Sequence, residues 1–392
     1  MDMLMIWHAG TVPQYRDRYL ALEEFFDTVN VLVPAGWKEV EKHPYKEQIG
    51  ERTVVKMMPC WLPYHPYSII YRNLEQVMRE VSPDIVYVHE EPPALSAAQA
   101  AWFAQKYDIP LFLDSAVINR IGNLGGANPL EAFVYRVADT AYYRNEKCRR
   151  TLLERGCPSE ILKGPMPNGV STRTFSPASD QQALSFLSEK VQENASAKLA
   201  GSDRSGIDSA DAPLRIGFAG RICYEKGIDL LLDATHAQPD VAVYLCGPIG
   251  SSSYREVIQQ TPGAHYCGEL SGENMNMFYS ACDITVLPSR RTPKWEEQFG
   301  RVLTESISCG TPAIGSNTGM IHQIVGDDWV FPEGDVRGLQ RLIDSLSTKR
   351  RRTELLKEQL RRVEEKFSWH TIAKTVREDL DDVLHSHGSP SA

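Results

Sequence analysis

The chain has 392 residues, 42% of them hydrophobic, enough apolar material for two cores of ordinary domain size. A net charge of −9, with no aromatic-basic stripe, argues against a nucleic-acid backbone as the main partner and for a small anion held locally. No apolar run approaches membrane-spanning length, and the eight cysteines show no Cys-x-x-Cys spacing, so they read as small buried hydrophobes of a reducing compartment.

In chain order, apolar runs predict strands at 3–7, 29–34, 53–58, 84–89, 110–114, 140–143 and 160–163. Helical patterns lie between them, among others at Tyr15–Phe26, Ser68–Val81, Ala94–Tyr107 and Glu146–Arg155. The opening Met1-Asp-Met-Leu-Met-Ile-Trp7 reads as a first strand without the basic start of an export signal. The expectation is a cytoplasmic protein, with peripheral contact at the inner face of a membrane left open. For the aromatic run Trp61 to Tyr71, ordinary helix core is favoured over an acceptor shelf or a membrane-dipping face. From 178 to 212 the composition shifts to Ser, Asp, Ala, Gln and Gly. Residues 181–199 suit a helix, and Gly201–Asp211 reads as a flexible linker. Strands resume near 215–219, 241–246, 264–266, 283–287, 312–315 and 329–331, and 336–386 is helical and highly charged. There Lys349–Arg352 is followed by Glu354, Glu358, Glu364 and Glu365, the pattern of a solvated helix face. Strand–helix alternation in both halves implies α/β domains built on parallel sheets covered on both faces. The expected domains are 1–177, a linker at 178–212, 213–365, and a C-terminal helix and tail at 366–392 that could pack back on the first domain.

The densest chemical signal is Glu297-Gln-Phe299-Gly300-Arg301-Val302-Leu-Thr-Glu305, where the strand Asp283–Pro288 should run into a helix. Backbone N–H groups in a first helical turn have no internal partner and sit at the positive end of the helix dipole, so they stabilise an anion. The Phe299-Gly300 step leaves that backbone open to close approach. Glu305, about two turns in, could reach a ribose edge, while Glu297 would face whatever the phosphate carries. A Glu pair at helical spacing is by itself usually solvated surface. A second segment, Ile216-Gly-Phe-Ala-Gly220-Arg221-Ile-Cys-Tyr-Glu-Lys226-Gly227, shifts that balance, because it puts two cations on one loop between a strand and a helix start. If the two junctions lie side by side in one parallel sheet, they form a diphosphate cradle.

These segments resemble glycosyltransferase family 4, the retaining nucleotide-sugar transferases of the GT-B fold. Pro167-Asn168-Gly169-Val170 with Phe175-Ser-Pro177, Gly220-Arg221 with Lys226-Gly227, Leu287-Pro288-Ser289, Glu297-x-Phe299-Gly300, Cys309-Gly310-Thr-Pro312 and Phe367-Ser-Trp369 follow the family's order. The resemblance implies two Rossmann-like domains with parallel sheets facing a central cleft. It implies a hexose-type sugar moving, with retention, from a nucleoside diphosphate sugar to a hydroxyl acceptor. Glu297 would hold donor-sugar hydroxyls and Glu305 the ribose. Departure of the diphosphate builds negative charge, which Arg221, Lys226 and the N–H groups of 299–301 would stabilise, with Gly220 and Val302 completing the donor contacts. No metal or other cofactor is expected. The one Asp-x-Asp spacing, Asp379-Leu-Asp381, lies in the charged C-terminal helix and reads as surface.

The first domain would supply the acceptor side. Gly10, in Trp7-His8-Ala-Gly10-Thr11, occupies the place of the family's glycine loop, which often has two glycines. Relatives commonly put a histidine after a middle strand of this domain, where this chain has Asp114. His89, at the end of the neighbouring strand, is the equal alternative, since the carboxyl end of a parallel strand faces the ligand crevice. His8 ranks third. Relatives tend to read Gly-x-x-Pro-Glu where this chain has Gly319-Met-Ile-His322-Gln323, so one negative charge is absent there. Two other readings compete: a nucleotide-sugar epimerase of the same architecture and a catalytically silent sugar-nucleotide binder that regulates a partner.

Overall fold

The computed structural model describes residues 1–10, 12, 15–36, 46–116, 128–194, 212–293 and 295–388. Residues 195–211, which include the end of the helix expected at 181–199 and the linker expected at Gly201–Asp211, and Thr11 lie outside them. The chain forms two compact units, Met1–Asn168 with Trp369–Ala392, and Gly169–Ser368.

Unit 1 runs β1 (Asp2–Ile6), α1 (Arg16–Leu22), β2 (Thr28–Pro34), β3 (Lys46–Gln48), β4 (Thr53–Met58), β5 (Cys60–Trp61), β6 (Ile70–Tyr71), α2 (Leu74–Val81), β7 (Ile85–Val88), α3 (Leu95–Tyr107), β8 (Leu111–Ser115), α4 (Pro129–Val137), β9 (Thr140–Tyr143), α5 (Glu146–Glu154) and β10 (Leu162–Lys163). Among the described residues its main sheet has eight strands in the order β10-β9-β8-β7-β1-β2-β4-β3. Only β3 runs antiparallel, on β4. Central strands are apolar throughout because both faces are covered. Leu4, Ile6, Val86, Val88, Leu111 and Leu113 enter the core on one face, and Met3, Met5, Ile85, Tyr87 and Phe112 enter the core on the other, the period-2 alternation of a strand. Asn128 and Asn145 cap α4 and α5 by accepting from Leu130 N and Cys148 N.

The C-terminal helix, Trp369–Gly388, belongs to unit 1 and lays Ile372, Ala373, Val376 and Leu380 into the second of these cores. Asp379 is not surface, as the sequence suggested. It accepts from Tyr142 OH at 2.6 Å and pairs with Lys163 Nζ at 2.5 Å. The aromatic run also departs from expectation. Trp61 and Ile70 pair in a two-stranded antiparallel ladder, Tyr64 is exposed, and only Ile69 and Tyr71 are fully buried.

Unit 2 begins with α6 (Asp180–Asn194), which packs Ala183 and Leu187 against Phe278 and Tyr279, so this stretch of the expected linker contributes to the unit's core. It continues β11 (Leu214–Ala219), α7 (Ile228–Thr235), β12 (Val241–Cys246), α8 (Ser252–Gln260), β13 (Ala264–Tyr266), α9 (Glu273–Ala281), β14 (Ile284–Leu287), α10 (Arg301–Ser308), β15 (Ala313–Ser316), α11 (Ile321–Val325), β16 (Val330–Phe331), α12 (Val336–Ser345) and α13 (Lys349–Lys366). The strands form an all-parallel sheet, β13-β12-β11-β14-β15-β16. Gln359 of α13 is fully buried, and its amide is satisfied by Ala313 N, Ala313 O and Val325 O.

Numbered by their parallel strands, the sheets have the doubly wound orders 3-2-1-4-5-6-7 in unit 1 and 3-2-1-4-5-6 in unit 2. Winding reverses between β1 and β7 in unit 1, and between β11 and β14 in unit 2. Doubly wound sheets bind ligands beyond the carboxyl ends of the strands at such a reversal, and the candidate residues cluster at these ends.

Candidate functional site

In unit 2 the chain leaves β11 through Gly220, at φ +142°, and turns through Tyr224–Lys226 to Gly227, at φ +69°. A Cβ on Gly227 would stand 1.9 Å from the carbonyl oxygen of Pro288. Glycine therefore lets the basic loop lie directly on the end of β14. The seating is reinforced by Arg290, whose N–H donates to Glu225 O at 2.9 Å. Its guanidinium stacks 4.2 Å from the Tyr224 ring centroid and pairs with Asp229 at 2.7 Å.

This seating brings Lys226 to Glu297, and the two form an ion pair. Ser289, buried just past β14, donates its hydroxyl to the same carboxylate oxygen at 3.2 Å. The Trp295 ring lies 5.0 Å from Lys226 Nζ, close enough for a cation–π contact. The backbone of Glu297 is held from behind by Gly319, where a Cβ would fall 1.8 Å from the Glu297 carbonyl oxygen. Gly300, at φ +84°, is the N-cap of α10. Leu303 N bonds back to Gly300 O, leaving the N–H groups of Arg301 and Val302 as the first-turn donors without an intrahelical acceptor. Phe299 contributes backbone only, since its ring is buried in the core near Phe367. Glu305 is buried inside α10, where Tyr279 OH donates to it and Arg301 Nε pairs with it, both at 2.9 Å. Burial pushes its carboxyl above the usual range, against the pull of Arg301 and Tyr279. Arg221 is exposed and makes no ion pair among the described residues.

The two segments singled out in the sequence thus converge within one unit, through Lys226 and Glu297. Ser289 was noted there only as part of a motif, and Trp295 was missed. The tryptophan's proximity to Glu297 in sequence was the one signal that could have found it.

The crevice end of unit 1 is built differently. Asp114 is 1% exposed and lies between two buried guanidiniums, pairing with Arg18 and, at 2.6 Å, with Arg144. Tyr87 OH donates to it at 2.7 Å, and His89 Nδ1 lies 2.9 Å away. Burial opposes ionisation here, yet Arg144, His89 and Arg18 together hold the carboxyl well below the ordinary range. Burial also pushes the His89 imidazole down to about 3, so the ring is neutral at pH 7. Trp7 packs on His89, with ring centroids 4.2 Å apart. Asp114 and His89, alternatives in sequence, are members of one network. Arg18 and Arg144 were missed. Arg144 follows the carboxyl end of β9, a position that could have drawn notice, but nothing near Arg18 in sequence marks it.

Gly10 follows β1, and its carbonyl accepts from Tyr19 OH at 3.0 Å; a Cβ there would meet that hydroxyl at 2.9 Å. His8 pairs with the buried Glu90 at 2.6 Å. Glu91, hydrogen-bonded to Ser115 at 2.8 Å, is raised by burial to about 7. Among the described residues, no group of three or more His, Cys, Asp or Glu side chains could hold a metal ion, and no helix is long and apolar enough to cross a membrane.

Residues 202–363 match the family model described as "Glycosyl transferases group 1". The chain is similar to sulfoquinovosyl transferase of Arabidopsis thaliana, 23% identical over 85% of this chain and 64% of that protein. It spans 45 to 58% of the lengths of three further curated relatives. In structure it resembles a glycosyltransferase of Rickettsia africae, with a TM-score of 0.70 at 15% identity over 98% of each chain. It also resembles Anabaena HepE solved with UDP and glucose, with a TM-score of 0.64 at 16% identity over 97% of this chain and 99% of that one. These matches support a glycosyltransferase of group 1 type, in a chain with the two Rossmann-like units of the GT-B fold.

Proposed function

We propose that the protein is a retaining, metal-independent glycosyltransferase of family 4 type that moves a hexose-type sugar from a nucleoside diphosphate sugar to a hydroxyl acceptor. The juxtaposition of Lys226, Glu297 and the open first turn of α10 at the reversal point of unit 2 carries this reading. Breaking the sugar–phosphate bond puts positive charge on the anomeric carbon and negative charge on the departing diphosphate. Lys226, Arg221 and the N–H groups of Arg301 and Val302 then supply fixed positive charge where that negative charge grows. Glu297 takes sugar hydroxyls and Glu305 the ribose. Gly220 and Gly300 let the backbone come close to the donor.

The proposal extends to a front-face transfer in which the departing phosphate oxygen takes the acceptor's proton. No enzymic nucleophile is then required. Unit 1 is assigned the acceptor side, with Gly10 and His89 facing the ligand and Asp114 holding His89. A cytoplasmic location, with the option of peripheral membrane contact, belongs to the same proposal.

The test is a product assay with UDP-, GDP- and ADP-hexoses and a panel of hydroxyl acceptors, with and without chelator. Transfer with retained anomeric configuration that survives chelation is the expected result. Activity abolished by chelator and restored by magnesium would overturn metal independence. An epimer formed from donor alone would favour the epimerase, and binding without turnover on any acceptor of the panel would favour the silent binder.

A further inference from the structure

Two of the groups assigned to the donor in unit 2, Lys226 and Glu297, are bound to each other. Both side chains are largely buried, 16% and 11% exposed. Among the described residues, the Glu297 carboxylate has one further hydrogen-bond partner, the Ser289 hydroxyl, and Gly319 holds its backbone from behind. A diphosphate entering this crevice competes for the ammonium. If it draws Lys226 away, the carboxylate is left largely desolvated with one neutral donor, and a buried charge stripped of its partner is strongly destabilising. A sugar attached to the diphosphate changes the balance, because its hydroxyls donate to the carboxylate as the ammonium leaves.

We infer that Glu297 is the determinant that separates nucleoside diphosphate sugar from free nucleoside diphosphate, acting by withholding Lys226 from any diphosphate that brings no sugar hydroxyls. The inference rests on the donor-pocket reading above and adds to it a selectivity against the spent product. Trp295 keeps its face to the ammonium, so the cation is stabilised while it exchanges one anion for the other.

Calorimetry on the full chain tests this with UDP, GDP and ADP and their glucose and mannose conjugates. Wild type should bind the sugar conjugate at least about tenfold more tightly than the matching diphosphate. In Glu297→Gln the free diphosphate should bind about tenfold more tightly than in wild type, and the preference for the conjugate should collapse. If that variant fails to fold, the wild type alone still decides the matter. Free glucose or mannose at saturation should tighten binding of the diphosphate several-fold, because the hexose hydroxyls relieve the deserted carboxylate. Unchanged diphosphate affinity in a folded Glu297→Gln, or no coupling between hexose and diphosphate in wild type, overturns the inference while leaving the donor pocket intact. Failure of wild type to bind any of these compounds overturns both.

Discussion

The two units wind their sheets in the same order and gather charge at the same reversal point, yet they treat that charge in opposite ways. In unit 2 the ion pair of Lys226 and Glu297 lies beside a glycine-capped helix mouth, with partners that a ligand can displace. In unit 1 Asp114 is locked between Arg18 and Arg144, and no ligand reaches it without dismantling the core. Topology decides where functional residues can gather, and burial of their partners decides whether they are available. A carboxylate at the end of a parallel strand is a candidate ligand only while it lacks internal guanidiniums.

The sharpest way to break this contrast is to replace each centre and ask which variant loses stability and which loses activity. Asp114→Asn should destabilise unit 1 by about 3 to 5 kcal/mol, because it leaves two buried cations without a counter-charge. Urea unfolding followed by circular dichroism reads this directly, and a change under 1 kcal/mol would remove Asp114 from its structural role. Lys226→Ala should lower turnover about 10²- to 10³-fold at saturating donor, with a smaller loss of stability than Asp114→Asn because only one buried charge, Glu297, is left without its partner. Wild-type turnover in that variant would end its assignment to the diphosphate. Glu305→Ala should weaken nucleotide binding about tenfold, roughly the loss of one hydrogen bond to a charged group. Unchanged affinity in a calorimetric titration would take the ribose from Glu305.

A separate test within unit 1 is the pH dependence contributed by Glu91. Its folded value of about 7 exceeds that of an unfolded glutamate, so the folded state binds more protons between those values. The stability this group contributes is therefore fully present below the unfolded value and is lost as pH rises through about 7. Glu91→Gln should flatten that fall in a comparison of melting curves from pH 4 to 8. An identical profile in the two proteins would mean that the carboxyl is solvated.

How much of this was legible in the chain differs between the units for a physical reason. Central strands announce themselves as apolar runs because both faces are buried, and the loop at 220–227 and the step at 297–300 declare themselves by glycine and charge. The edge strand Lys46–Gln48 is polar and pairs antiparallel, so it carries no such run. Lys226 and Glu297 could be paired in advance because each sits on its own strand-to-helix junction. Asp114 could not be judged, because its partners Arg18 and Arg144 lie 96 residues before it and 30 after, on elements whose register depends on the finished sheet. Asp379 was misread for the same reason, its partners Tyr142 and Lys163 being more than 200 residues away.

Because Trp369–Gly388 covers a face of the first unit, that unit is discontinuous in the gene. A clone ending at Asn168 would expose Tyr19, Phe26 and Tyr142 to water and take from Arg18 the Trp369 ring 5.5 Å away. A laboratory wishing to study or swap the lobe should therefore splice the last helix onto residue 168 through a designed linker. Libraries of hybrid enzymes made by a single crossover in the middle of the sequence would pair each first lobe with a foreign helix.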